Sequence, residues 1–362
     1  MKEKVCIGIL GGGGILGAHA PAYMKLQDKC SVVMVAEPNL TRHEFIHKML
    51  GPEVCIVKDY HEVLDADSVD AVDIILPHNL HAPATIDSAK AGKPVIVEKV
   101  MARNIWECDQ MINACEKAGV SLTVCHDRRY HGEWIALKEI IDSAILGEIF
   151  FWKLEHNQDV VFPKDSWART RDGIGGGAIM SCLTHQIDAL RWYGGEVDSV
   201  TCMTKVIPER MEGEFLGVIV AKMASGALAE LSINWWTRSH YGANSLCYEM
   251  VQVCGTKGEA YYMSGHGTFV KLHDESNESA INKYGKEALQ NFVKVECGTW
   301  NGHERCISEW VKSLRGENAN IITSGHECRK TVEVAESAYR SAEMGKTISL
   351  PIEPEKWIES RG

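Results

Sequence analysis

The sequence lacks long apolar runs and closely spaced cysteines. No run approaches the roughly 18 consecutive apolar residues of a transmembrane helix. The 13 cysteines never form a Cys-x-x-Cys pair, so we expect neither a zinc ribbon nor a compact disulfide framework. No secretory leader pattern precedes the first apolar segment, which begins at Val5. These absences predict a cytoplasmic protein with reduced thiols, no membrane partner and no metal.

An excess of basic residues is also missing. The 362 residues include 38 Lys and Arg against 49 Asp and Glu, a net charge of −11. This balance disfavours nucleic acid as a partner, because a polyanion would be repelled. The composition is typical of a globular protein, and the length fits two domains at about 150 residues per domain.

The first part of the chain alternates continuous apolar runs with helical stretches. Such runs are typical of parallel strands that are covered on both faces. The pattern predicts a helix over 18–26 and strands over 5–10, 31–36, 71–76, 94–97 and 121–125.

The second part has strands with alternating polarity. Two hairpins are predicted, one from 218–223 and 227–235, the other from 248–254 and 259–263. Helices are predicted over 133–141 and 328–344. Consecutive hairpins indicate an α+β domain with a large, mostly antiparallel open sheet, and the boundary between the two domains falls near residue 128.

A glycine-rich turn joins the first strand to its helix. Gly12-x-Gly14-x-x-Gly17 has the dinucleotide-binding spacing, and a second register starts at Gly11 and Gly13. Glu37 ends the second strand, where a carboxylate accepts the ribose hydroxyls of NAD and repels the 2′-phosphate of NADP. Arg42 is the group that would favour NADP. We predict NAD as the cofactor, held by Gly12, Gly13, Gly14, Ile15, Leu16 and Glu37.

Together with this turn, several later motifs make the chain resemble the Gfo/Idh/MocA family of oxidoreductases over essentially its whole length. The motifs are Pro77-His78-Asn79-Leu80-His81, Ala91-Gly92-Lys93-Pro94 with Glu98-Lys99, Arg128-Arg129-Tyr130, Leu146-Gly147-Glu148-Ile149, Gly175-Gly176-Gly177, His185 with Asp188, and Ser341-Ala342. The resemblance implies an α/β protein with an NAD-binding Rossmann domain over 1–128. A substrate-binding and oligomerisation domain follows over 129–362, with a sugar bound between the two.

The resemblance also implies roles for individual residues. Lys99 and His185 become the catalytic pair, with His185 as the base and Lys99 beside the nicotinamide. Further cofactor contacts fall on Pro77, His78, His81 and Glu98. Substrate contacts fall on Asp188 by the resemblance, and on Arg128, Tyr130, His156, Trp167 and Arg169 by their positions along the chain.

The chain departs from the family pattern at several positions. Val100 replaces the proline of Glu-Lys-Pro, and Ser181 replaces an aspartate four residues before the histidine. Loss of that carboxylate leaves His185 and Lys99 to carry the proton chemistry. His78 and His81 have the spacing of a metal pair but no evident carboxylate partner, so we expect pocket-lining or structural histidines.

The implied activity is NAD-dependent oxidation of a secondary hydroxyl on a sugar, cyclitol or glycoside by a homo-oligomer. The cysteine-rich, aromatic-rich chain looks most like the glycoside 3-dehydrogenases, including gut bacterial enzymes that oxidise the glucose of C-glycosides. A partner lyase would then act on the 3-oxo product. Two alternatives stay open: an inositol or free-sugar dehydrogenase, and a non-catalytic regulator that senses sugar or NAD. Lys99 and His185 favour the enzyme, whereas Ser181 favours the regulator.

Overall fold

The computed structural model describes residues 4–237 and 247–356, which form two compact units. Within these limits, the first unit contains residues 4–130, 300–332 and 354–356. The second unit contains residues 131–237, 247–299 and 333–353.

The first unit is built on a parallel sheet of six strands in the order β3-β2-β1-β4-β5-β6. Its apolar strands are buried, as the continuous runs predict. Of these six strands, the sequence analysis missed only β3, a three-residue edge strand that is too short and too exposed to give a pattern. The strands are β1 (Val5–Leu10), β2 (Cys30–Ala36), β3 (Cys55–Val57), β4 (Ala71–Ile74), β5 (Val95–Glu98) and β6 (Leu122–Cys125). The helices are α1 (Leu16–Lys25), α2 (His43–Leu50), α3 (Tyr60–Asp65), α4 (His78–Lys90) and α5 (Ile105–Ala118).

The second unit is built on a nine-stranded sheet in the order β14-β13-β12-β11-β7-β10-β9-β8-β15. Every neighbouring pair is antiparallel except β7 with β10, and both predicted hairpins are present. The strands are β7 (Ile149–Gln158), β8 (Val197–Val206), β9 (Glu214–Met223), β10 (Leu228–Asn234), β11 (Cys247–Gly255), β12 (Gly258–Met263), β13 (Gly267–Leu272), β14 (Val293–Val295) and β15 (Ile348–Ser349). The helices are α6 (Gly132–Asp142), α7 (Arg171–Ile174), α8 (Thr184–Gly194) and α9 (Glu278–Tyr284).

Two helices lie between β14 and β15 along the chain, α10 (Gly302–Leu314) and α11 (Gly325–Met344). The sequence analysis placed 300–332 in the second domain, whereas the structure packs this segment in the first unit. The reason is that α10 buries Cys306, Ile307 and Trp310 in the core formed by β1 and α1. The helical spacing of apolar residues shows that a helix has a buried face, but it does not show which sheet that face packs against. Within 4–237 and 247–356, no helix has both the length and the apolar character needed to cross a membrane.

Candidate functional site

The turn between β1 and α1 is shaped by its glycines. Gly11 has a φ of +105°, and a Cβ there would lie 2.7 Å from the Ile75 carbonyl oxygen. A side chain is therefore excluded by conformation and by space. Around Gly13 and Gly14, by contrast, an added Cβ would have nothing within 4 Å. This open side lets backbone N–H groups approach a phosphate at the start of the helix.

The structure favours the register that starts at Gly11. Gly11 makes the tight turn directly after β1, and Leu16 starts α1 with its side chain fully buried. At Gly17 an added Cβ would meet only the Phe45 ring, at 3.9 Å. Close packing therefore does not require a glycine there. The first glycine of the fingerprint is Gly11, which the analysis of the sequence had left as an alternative.

Glu37 lies beside this turn at the end of β2. Its Oε2 accepts the Gly12 N–H at 2.9 Å and its Oε1 accepts the Asn39 N–H at 2.8 Å. The half-buried carboxylate keeps lone pairs for further donors, such as the ribose hydroxyls of NAD. Arg42 Nε donates to the Gly12 carbonyl at 3.1 Å, and its guanidinium lies over the Phe45 ring. The residues present therefore fit NAD.

Two histidines of α4 were expected at the cofactor, but His81 is used by the fold. Its Nδ1 lies 2.8 Å from the Val100 carbonyl oxygen and its Nε2 lies 2.9 Å from that of Leu76. Its ring is fully buried, and burial lowers its pKa. His81 therefore links the segments that follow β4 and β5. His78 follows Pro77 at the start of α4, and its ring packs against His81 with centroids 5.5 Å apart.

Glu98 and Lys99 end β5. Glu98 is 5% exposed, and its Oε1 lies 2.8 Å from His19 Nε2 and 3.5 Å from His303 Nε2. Its Oε2 accepts the Lys99 backbone N–H at 3.1 Å. Burial opposes ionisation, but the two histidines hold the pKa of Glu98 well below its usual range. Both oxygens therefore serve the first unit itself, where the sequence had suggested a cofactor contact. The Lys99 side chain is half-buried, and the Lys99–Val100 peptide is cis.

The segment after β6 carries two predicted substrate ligands, Arg128 and Tyr130, which have different surroundings. Arg128 keeps an ion pair with Asp127, at 2.5 Å between Nη1 and Oδ2. Tyr130 is 2% exposed and belongs to the apolar core of the first unit. Its hydroxyl accepts the Ile322 N–H at 3.1 Å. The structure therefore gives Tyr130 a packing role in place of the expected substrate contact.

In the second unit, α8 carries His185 and Asp188, which are 6% and 1% exposed. The two positions are one turn apart and share a face of the helix. The His185 ring is nearly parallel to that of His156 on β7, with centroids 6.3 Å apart and an interplanar angle of 10°. The structure thus brings together two histidines that lie 29 positions apart in the chain.

A carboxylate that the sequence did not single out completes this cluster. Glu249 on β11 is 4% exposed, and its Oε1 lies 3.4 Å from His156 Nδ1. Gln186 Nε2 donates to the same oxygen at 3.3 Å. Burial alone would lower the pKa of His156, but Cys182, Cys247 and Glu249 outweigh it and raise the pKa well above its usual value. The signal in the sequence was a lone Glu within an apolar strand.

A second buried carboxylate holds the segment after the glycine triplet. The Tyr339 hydroxyl accepts the N–H groups of Gly177 and Met180, at 3.0 and 3.1 Å, and donates to Glu214 Oε1 at 2.9 Å. The same oxygen accepts the Ile179 N–H at 2.7 Å. Burial raises the pKa of Glu214 to about 7. This clamp fixes a π-helical turn over Ile179–Leu183, directly before the helix that carries His185.

Two further predicted substrate ligands, and the serine at the family's aspartate position, lie on short turns before α8. Trp167 and Arg169 occupy a short 3-10 turn, where Trp167 is 40% exposed. Arg169 Nη2 donates to the Glu209 carbonyl at 3.0 Å. Ser181, which stands in place of the family aspartate, is 9% exposed and lies within the π-helical turn.

Comparison with known families decides the assignment. Residues 5–126 match the oxidoreductase family model with the NAD-binding Rossmann fold, and residues 134–261 match the GFO/IDH/MocA C-terminal domain. The chain belongs to the Gfo/Idh/MocA family. Membership confirms the predicted family, its Rossmann domain and NAD as the cofactor. It also confirms that the chain is an oxidoreductase.

Several known proteins are similar to this chain over most of its length. A myo-inositol 2-dehydrogenase of Thermotoga maritima is 28% identical over 349 residues, which cover 95% of this chain and 98% of that protein. A D-apiose dehydrogenase of Rhizobium rhizogenes is 24% identical, with coverage of 84% and 86%. The WlbA dehydrogenase of Bordetella pertussis, crystallised with NADH and UDP-GlcNAcA, has a TM-score of 0.82 at 24% identity, with coverage of 97% and 99%. That likeness shows the shared fold.

Proposed function

We propose that this protein oxidises a secondary hydroxyl of a sugar, cyclitol or glycoside with NAD. The observation that carries the proposal is the buried cluster of His185, His156 and Glu249 in the second unit of an NAD-binding oxidoreductase. Relatives over most of the chain are named as dehydrogenases of myo-inositol and D-apiose. Polyhydroxylated substrates match a cluster of this polarity, because hydroxyl groups both donate and accept hydrogen bonds.

The proposed roles follow from the chemistry of each side chain. When bound, NAD supplies the hydride acceptor. His185 takes the proton of the substrate hydroxyl, and the Lys99 ammonium stabilises the developing alkoxide. Asp188 orients His185 or accepts a substrate hydroxyl. Of the other residues expected at the substrate, we propose His156, Arg128, Trp167 and Arg169 as contacts.

Glu249 supplies a carboxylate that the family pattern places elsewhere. At position 181 this chain has a serine, which cannot stabilise a protonated imidazole by charge. Glu249 lies 3.4 Å from His156 and is buried, so its charge acts in a medium that screens weakly. We propose that the Glu249 carboxylate performs the electrostatic role of the missing aspartate, acting on His185 through the stacked ring of His156.

For the substrate itself, we propose oxidation of a glucoside at C3. A ketone at C3 acidifies the neighbouring C–H, so a separate lyase would be the class of enzyme that consumes the product. The 28% identity to a myo-inositol 2-dehydrogenase favours a second candidate, oxidation of a cyclitol. A regulator without turnover is the third candidate.

A substrate panel distinguishes these candidates. Purified protein with NAD is given O- and C-glucosides, free glucose and myo-inositol, and NADH formation is followed near 340 nm. We expect a rise with one class, and His185→Asn should lower the rate by about 10²- to 10⁴-fold while NAD still binds. His273→Asn, an exposed histidine of the second unit, is the matched control. No NADH with any substrate, despite demonstrated NAD binding, would favour the regulator.

We also propose that the chain is a homo-oligomer joined through the second unit's sheet. One face of β8–β10 carries several exposed apolar side chains among polar ones. Met203 pairs with Val218 there, whereas Leu228 pairs with Lys222. Met203 is 76% exposed, Val220 is 53% exposed and Leu228 is 52% exposed. Exposed apolar side chains gathered on one sheet face are stabilised when another surface covers them. A second copy presents an identical apolar face.

A further inference from the structure

The first unit contains a buried cluster of side chains of the types that bind metals. Its residues have no role in the NAD and substrate chemistry proposed above. It consists of His19 on α1, Glu98 at the end of β5, Cys125 at the end of β6 and His303 in the first turn of α10. One potential ligand atom from each residue lies within 4.8 Å of those of the other three. We propose that these four residues bind a structural zinc ion.

The donor set is one that zinc prefers. Zinc binds imidazole nitrogen, thiolate sulfur and carboxylate oxygen, and four protein ligands with no open position are typical of a structural site. A mixed set of two imidazoles, one thiolate and one carboxylate is unsuited to Mg²⁺ or Ca²⁺, which take oxygen ligands. His19 and Cys125 are fully buried, and the side chains of Glu98 and His303 are 7% and 18% exposed. A metal here would therefore be enclosed.

The spacing of the nitrogen and oxygen donors is close to that of a tetrahedral site, and Cys125 Sγ lies within 4.8 Å of each of them. Nitrogen and oxygen ligands on one zinc ion are about 3.3 Å apart, and His303 Nε2 lies 3.5 Å from Glu98 Oε1. His19 Nε2 is 2.8 Å from that oxygen, so this pair would open by about 0.5 Å on binding. Two imidazoles bound through Nε2 place their ring centroids about 5 Å apart. The observed separation of His19 and His303 is 5.4 Å.

A second, independent observation is the orientation of both histidines by carboxylates behind them. His19 Nδ1 lies 2.7 Å from Asp73 Oδ2, which also accepts the Tyr23 hydroxyl at 2.7 Å. His303 Nδ1 lies 3.4 Å from Asp127 Oδ2. Zinc-bound histidines almost always donate their other ring N–H to a carboxylate or carbonyl in this way. Each Nε2 is thereby turned toward the centre of the cluster.

The charges of the cluster also suit a divalent ion. One zinc ion with the Glu98 carboxylate and the Cys125 thiolate is neutral, so the four ligands and the metal together add no net charge to the interior. Binding would tie α10 to the ends of β5 and β6. It would also hold Glu98, whose second oxygen accepts the Lys99 N–H. The site therefore supports the strand end that presents Lys99.

Metal analysis tests the proposal. The untagged protein, expressed with added zinc and passed over a desalting column, should contain about one zinc per chain. Replacement by cobalt should give a near-ultraviolet thiolate-to-cobalt band. Cys125→Ser should abolish that band and His303→Gln should lower the metal content. Cys115→Ser, a buried thiol on α5 outside the cluster, should leave both unchanged.

The outcomes decide for or against the site even if one variant fails to fold. Chelation of the wild-type protein should lower its melting temperature, and zinc should restore it. Wild-type protein that contains less than about a tenth of an equivalent of metal, and that gives no cobalt band, would show that the cluster is a protonated histidine–carboxylate network. A cobalt band that persists in Cys125→Ser would assign the thiolate to another cysteine and also overturn the proposed ligand set.

Discussion

The Glu214–Tyr339 clamp makes the stability of the second unit depend on pH. The pKa of Glu214 is raised from its ordinary value of 4.5 to about 7 because the carboxyl is buried. Below pH 4.5 the group is protonated in both the folded and the unfolded state. As the pH rises toward 7, only the unfolded state loses this proton, and the free energy of unfolding falls. The full difference is about 3 kcal/mol, reached above pH 7.

The variant Glu214→Gln removes this titration and retains a carbonyl oxygen to accept from Ile179 and Tyr339. Relative to the wild type, its free energy of unfolding should increase by about 2.5 kcal/mol between pH 5 and pH 8. The melting temperature of the second unit in Glu214→Gln, measured relative to that in the wild type, should therefore rise by about 5 to 10 °C from pH 5 to pH 8. If the amide also changes the free energy of unfolding in a way that does not depend on pH, that change is the same at every pH and leaves this trend intact.

Scanning calorimetry at pH 5, 6, 7 and 8 measures this difference. Glu212→Gln, an exposed carboxylate two residues away, is the control and should follow the wild type. If the melting temperatures of Glu214→Gln and the wild type keep a constant separation across this range, the carboxyl is not held protonated by burial and the reasoning is refuted.

Four further predictions concern the proposed function. Lys99→Ala should lower kcat by about 10²- to 10⁴-fold with an unchanged Kd for NAD, and near-normal turnover would remove its catalytic role. Glu37→Ala should weaken NAD binding by about tenfold or more and lower the ratio of the Kd for NADP to the Kd for NAD. If that ratio does not change, the ribose is recognised by other residues. Glu249→Gln should shift the acidic limb of the kcat/KM profile to lower pH, because this buried carboxylate favours the protonated form of the stacked imidazole pair that includes the base His185; an unmoved limb would separate Glu249 from the proton chemistry. Val220→Glu should lower the mass measured by light scattering, whereas Val161→Glu, which is exposed outside the strands, should leave it unchanged; equal masses would locate the interface elsewhere.

Local sequence was sufficient to predict five of the six strands of the first sheet and both hairpins of the second, but not β7, β8, β13, β14 or β15. The continuous run of β1, a glycine-rich turn after it and the alternation of β9 reflect the chemistry of neighbouring residues, and the structure contains each of them. The sequence left the register of that turn open. The edge strand β3 was missed because three half-exposed residues carry no periodicity. The segment 300–332 was assigned to the other domain because an amphipathic helix does not encode its partner.

The residues of the candidate sites likewise fall into two groups, those that local motifs predict and those that only the tertiary structure brings together. The sequence alone determined the family, and it predicted the NAD turn with Glu37 and the roles of Lys99 and His185, because each lies in a short motif with its own spacing. Only the tertiary structure brought Glu249 to His156, Tyr339 to Glu214, and His303 to His19. It also showed that His81 and Tyr130 use their polar atoms within the fold. Burial and charge compensation depend on residues that are distant in the chain, so no local pattern records them.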